Sequence, residues 1–169
     1  MAKIRDAVTT YAGRGLISEA LAGQAAITFT RIASGSGAYD GTEDLRAMTS
    51  LKNEQKELNI ENIDRADQTT MKIVATLSSQ ESEKEFGLTE IGVFAKKTGG
   101  EEVLHSIIVM EIGDYMPEYS EAYKTTTTFT IYCAVDSESE VVVEDYKGQY
   151  ATRGELLEQI NNIQKQIKE

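Results

Sequence analysis

The sequence predicts a mostly β (α+β) chain: an antiparallel, sandwich-like body with a short N-terminal helix, followed by a C-terminal coiled-coil-like helix. Three observations predict it. Segments between Ile27 and Glu144 alternate apolar and polar residues with the period of half-buried strands. Turn-forming stretches rich in Gly, Ser and Thr separate them. Two stretches, Gly13 to Gly23 and Glu155 to Ile167, switch to helical spacing. The natural division is a β-rich domain at 1–150 and an amphipathic helix at 151–169.

Taken in order, residues 1–12 are weakly patterned. Leu16, Ile17, Ala20 and Leu21 then fall on one helical face, and Gly23 stops the helix. AAITFTRIAS is a strand with Ile27 and Phe29 on one side and Thr28 and Thr30 on the other. The Gly-rich loop SGSGAYDG follows, then TEDLRAM, where Thr42 is placed to cap a short helix. Leu51 to Asp64 contains one strand, ELNIENI, and MKIVATL is another, with Met71, Ile73, Ala75 and Leu77 on one face. FGLTEIGVFAKK and EEVLHSIIVME form a hairpin turned by Thr98, Gly99 and Gly100. GDYMPEYSEAYK is a loop. TTTTFTIYCAV is the clearest strand, with Phe129, Ile131, Cys133 and Val135 on its apolar face, and EVVVED is a short one.

Composition narrows function. Hydrophobic residues make up 40%, enough for a core without a metal or disulfide, and Cys133 is the single cysteine. The net charge of -11, from 28 acidic and 17 basic residues, argues against nucleic acid and anionic membrane surfaces as partners. The N-terminus lacks the apolar core of a secretory signal, and no window reads as a membrane span, so synthesis in a cytoplasm is expected.

No catalytic constellation, cofactor motif or metal-ligand set is expected. His105 is the only histidine, in apparent phase with Val103, Ile107 and Val109, and no carboxylate or nucleophile is spaced to serve it. Cys133 lies on an apolar strand face, where a thiol packs as a small hydrophobe. The glycines at 35, 37 and 41 match neither a phosphate loop nor a dinucleotide fingerprint and read as a flexible or tightly turned loop. Acidic runs at 81–85 and 136–144 read as solvated surface. Glu90 is the exception. It shares a phase with Phe86, Leu88 and Phe94, so a carboxylate lands on an apolar face and needs a partner there. The candidates are Arg31 and backbone N–H groups, and a structural, hydrogen-bonded role is the reading taken.

Two segments point to partners. Leu156, Ile160, Ile163 and Ile167 recur at i, i+4, i+7 and i+11 among Glu, Gln, Asn and Lys, the seam of a two-heptad coiled coil. Ile-rich seams favour trimers or higher oligomers, and a helix this short requires either self-association or docking. Tyr115, Tyr119 and Tyr123 crowd the loop before the last long strand, a possible partner-binding loop and a stacking platform for sugars.

In order, the segments TTYAGRGLISEALAG, ITFTRIASGSG, LTEIGVFAKKTGGEEVLHSI, GDYMPEYSEAY and TTTTFTIYCAV resemble the N-terminal, baseplate-attachment domain of the phage tail-collar fibre protein family, over roughly residues 6–143. Glu90, Ile91, Gly92, Val93 and Phe94 carry the most recognisable motif. Ser36 stands where the family's loop has an Asp between glycines, so no contact of that Asp is carried over. The resemblance implies a virion structural protein: a short tail-fibre or fibre-adaptor subunit on the baseplate of a phage or phage-like contractile tail. It implies homotrimers with baseplate proteins, and a distal fibre protein, as partners. The alternatives are a carbohydrate-binding module for host glycans and a fibre assembly chaperone.

Overall fold

In a computed structural model the chain is described at residues 3–23, 25–79, 85–116, 123–135 and 142–152; at 3, 112–116, 123–125 and 142–152 the description is of backbone alone. Nine strands and one α-helix occur among these residues: β1 (Lys3–Thr9), α1 (Tyr11–Gly23), β2 (Ile27–Gly35), β3 (Glu54–Glu57), β4 (Asn59–Arg65), β5 (Thr70–Ser78), β6 (Phe86–Lys97), β7 (Val103–Met116), β8 (Tyr123–Ala134) and β9 (Val142–Thr152). They form two antiparallel sheets. Sheet A has the order β1-β7-β6-β2-β3 and sheet B the order β4-β5-β8-β9.

The sheets face each other across one core. Ile73, Ala75 and Leu77 of β5 and Phe129, Ile131 and Cys133 of β8 meet Phe29 and Ile32 of β2, Ile91 and Val93 of β6 and Ile108 of β7. The alternation in β5 and β8 follows the predicted faces, because only one side of sheet B is covered. Sheet A is covered on both sides. Its outer face holds a second cluster, in which Leu45 and Leu51 of the 36–53 segment pack on Ala33, Phe94, Leu104, Ile107 and Val109. That coverage is why β7 reads as a continuous apolar run.

Several expectations change. Residues 3–9, which carry Lys3, Arg5 and Asp6, form edge strand β1 rather than irregular chain. α1 starts two residues earlier than predicted: Thr10 is its N-cap, with Oγ1 accepting the Gly13 N–H at 2.9 Å. Leu16, Ile17 and Ala20 are buried as expected, but Leu21 is 61% exposed. The helix expected after Thr42 is a single 3-10 turn, Leu45–Ala47, and the Thr42 hydroxyl binds the Asp40 carboxylate instead. The strand expected at ELNIENI, residues 57–63, straddles two strands in different sheets: β3 ends in sheet A at Glu57, Leu58 donates its N–H to the Ile32 carbonyl at 2.8 Å, and β4 begins in sheet B at Asn59. The hairpin stands, with Gly99 at φ 78° in its turn. The strand expected at EVVVED extends to Thr152. Leu156, Ile160, Ile163 and Ile167 lie outside the described residues, as does Tyr119.

The strand directions give the body two ends. The C-terminus of β5, the N-terminus of β6, the C-terminus of β7 and the N-terminus of β8 meet at one, where Phe86 opposes Met116 and Thr152 of β9 opposes Tyr123. The 98–100 turn, the C-terminus of α1, Arg65 and Val135 lie at the other.

Candidate functional site

Glu90 is fully buried, and irregular strand pairing puts it where it is. Between Leu88 and Glu90 the pairing with β7 jumps from Asp114 to Val109. Phe86 and Leu88 therefore face the inter-sheet core, while Glu90, Gly92 and Phe94 turn to the outer face of sheet A. The predicted phase with Phe86 and Leu88 is broken at that irregularity.

On the outer face the carboxylate meets the 36–53 segment. Oε1 accepts the Asn53 N–H at 2.8 Å and the Gly37 N–H at 3.3 Å. Oε2 accepts the Lys52 N–H at 3.1 Å and a short hydrogen bond from the Tyr39 hydroxyl. A carboxylate offers about four lone-pair sites, and these four donors fill them. Burial, together with the Glu90 carboxylate, raises the Tyr39 phenol well above its ordinary pKa. The phenol thus stays a donor, and the arrangement ties a long loop to a sheet through uncharged groups.

Arg31 is not the partner. Thr30 is an extra residue between Phe29 and Arg31, so Arg31 leaves the side predicted from Ile27 and Phe29. Its guanidinium lies 3.8 Å from the centre of the Phe94 ring and pairs with Glu54 at 3.0 Å and Glu102 at 2.9 Å. It joins β2, β3 and the residue before β7 across the sheet surface.

Glycines shape the Glu90 site by leaving room. A Cβ on Gly35 would lie 2.5 Å from Glu90 Oε1 and 2.6 Å from the Asn53 carbonyl; one on Gly37 would lie 2.5 Å from Lys52 Cβ. A Cβ on Gly92 would meet Leu104 at 2.9 Å and Leu51 at 3.0 Å. Neither Gly35 nor Gly37 has positive φ, so close approach, not turn geometry, selects them. Ser36 closes the loop base, accepting from the side chains of Asn53 at 2.8 Å and Gln55 at 3.1 Å. Thr89 donates to the Gly37 carbonyl at 2.6 Å.

A second buried polar group joins the two sheets. His105 is the extra residue where β6 steps from Val93 to Phe94 and β7 from Ser106 to Leu104. It points into the inter-sheet core rather than along with Ile107 and Val109. The Ala134 carbonyl, 3.0 Å from Nε2, can only accept, so Nε2 carries the proton; Nδ1 accepts from the Ser106 hydroxyl at 2.6 Å. Phe29 stands edge-on to the ring at 5.2 Å. Burial lowers the His105 pKa to about 4 and raises that of Cys133, beside Ser106, to about 12. Both groups are neutral at pH 7.

Among the described residues no group of three or more His, Cys, Asp or Glu could hold a metal ion, and no helix is long and apolar enough to cross a membrane. Tyr115 and Tyr123 are placed by backbone at the same end, closing β7 and opening β8. Sequence reasoning missed Tyr39, Lys52 and Asn53 as the holders of Glu90. Two of these act through backbone N–H groups, which any residue but proline supplies, so no residue type could signal them. No family model, curated protein or solved structure matches the chain.

Proposed function

We propose that this chain is a virion structural protein: a short tail-fibre or fibre-adaptor subunit, attached to the baseplate of a phage or phage-like contractile tail and trimerised through its C-terminal seam. The observation that carries the reading is where the chain leaves the body. β9 runs to Thr152, opposite Tyr123, at one end of the sandwich, and Leu156, Ile160, Ile163 and Ile167 follow it in sequence. The far end presents a cleft lined by Leu21, Ile27, Met71, Val135 and Arg65 among the described residues. A body with one end for docking and the other for bundling suits an adaptor. The polar side chains that sequence singled out in the body also suit it: Glu90 and His105 spend their hydrogen bonds on the fold itself.

Light scattering on the full chain and on a chain truncated after Thr152 tests this. The expected result is a trimer that falls to monomer on truncation, with the full-length subunit detected by mass spectrometry in purified particles. A monomeric full-length chain overturns the trimer, and absence from particles overturns the virion role in favour of an assembly chaperone. A sugar-binding role draws support only from Tyr115 and Tyr123 sharing one end, and glycan-array binding by the isolated chain would establish it.

A further inference from the structure

We propose that in the assembled protein β9 of one copy pairs antiparallel with β4 of the next, joining the B sheets of successive copies into one closed ring. This rests on the homo-oligomer reading above and adds the surface through which the bodies meet.

An edge strand presents unpaired N–H and C=O groups, and proteins blunt such edges by shortness, charge or bulges. Sheet A is blunted at both edges: β3 has only four residues, and β1 shifts register against β7 twice within Lys3–Asp6. Sheet B differs. β9 has 11 residues, about twice an average strand, lacks proline, and among the described residues has no strand on its outer side. At the other edge, β4 is paired on one side only, and six of its seven residues are exposed, including Ile63 at 36%. That strand is poorly covered by its own chain.

Direction selects the pair. Sheet B has four strands in strictly antiparallel order, so its edges β4 and β9 run in opposite directions. Copies related by rotation about an axis along the strands therefore bring β9 against β4 antiparallel, and the pattern continues around the ring. Sheet A has five strands, so its edges β1 and β3 run the same way, and joining them would require parallel pairing. The flanks agree. β3 and β4 are joined through Leu58 on one side of the sandwich. β1 and β9 lie on the other, because β7 and β8, their neighbours, face each other through His105 and Ala134. Moreover, the seam segment follows β9 in sequence, so a bundle of seams would draw the Thr152 ends of all copies towards one another.

The test is amide hydrogen exchange on the full chain, at a concentration where light scattering reports the assembly and at one where it reports monomer. Peptides covering 59–65 and 142–152 should both exchange about tenfold more slowly, or slower still, in the assembly. Cysteine at Asn62, combined in turn with cysteine at each position from 144 to 150, should give disulfide-linked trimers on a denaturing gel for at least one pairing. A trimer in which neither peptide slows overturns the ring and leaves the trimer standing. Slowing of 142–152 alone, with a dimeric mass, means β9 pairs with its own equivalent and also overturns it. A chain that is monomeric throughout removes the oligomer reading and the ring together.

Discussion

At the scale of single residues, two buried polar groups set the body's chemistry, and each makes a prediction. In Glu90→Gln the side-chain oxygen serves one pair of donors and the new NH2 faces the other. Either Gly37 and Asn53, or Tyr39 and Lys52, lose their acceptor whichever way the amide turns. The expected cost is about 3 kcal/mol, read as a lower urea midpoint at fixed protein concentration. An unchanged midpoint would show that the loop holds to the sheet without the carboxylate. His105 makes the body acid-sensitive. Its folded pKa is lowered to about 4 from the ordinary 6.5, so between these values the unfolded chain binds the proton and the folded one does not. Stability on this account is full above pH 6.5 and falls as pH drops towards 4, by about 2.5 kcal/mol at pH 4.5. Other groups titrate in that window, so the reading is a difference. His105→Gln should lose less stability than the parent between pH 7.5 and 4.5, and equal slopes would refute the assignment.

At the scale of elements, α1 separates two glycines that look alike in sequence. A Cβ on Gly13 would lie 2.3 Å from the His105 carbonyl oxygen, a backbone atom that cannot swing away, whereas a Cβ on Gly15 meets nothing within 4 Å. Gly13→Ala should therefore lift the helix from β7 and cost about 2 kcal/mol. Gly15→Ala should stabilise by about 0.5–1 kcal/mol through helix propensity. Thermal melts of the two variants should move in opposite directions, and a shared direction would contradict the packing. The same contrast explains what sequence could and could not tell. β5 and β8 were readable because one face of each is better covered than the other, so Ile73, Ala75 and Leu77 alternate with half-buried neighbours. β6 and β7 were recognisable as strands but not in phase. Sheet A is covered on both sides, and the irregularities at Thr89 and His105 swap faces without any mark in composition. β1 was missed because it is a charged edge, and Leu58 hid a change of sheet inside what reads as one strand.

At the scale of the molecule, the direction of exit constrains what the C-terminal segment can do. The groove beside Leu21 and Met71 is the natural intramolecular dock for an apolar helix, but Met71 pairs with Cys133 while Thr152 pairs with Tyr123. Ten strand residues separate those rows, about 33 Å. The chain therefore leaves the described body at the end opposite that groove. Two heptads alone are marginal in water, and burying one isoleucine contributes about 2 kcal/mol, so on the reading proposed above sister copies cover the seam. Replacing Ile160 and Ile163 by Asp would put carboxylates into the proposed seam, where an unpaired buried charge is far costlier than the lost apolar contact. The double variant should keep the parent's β-type circular dichroism, because both positions follow the last strand of the body in sequence, and light scattering should report a lower oligomer. An unchanged mass would mean that contacts within the bodies, and not the seam, hold the copies together.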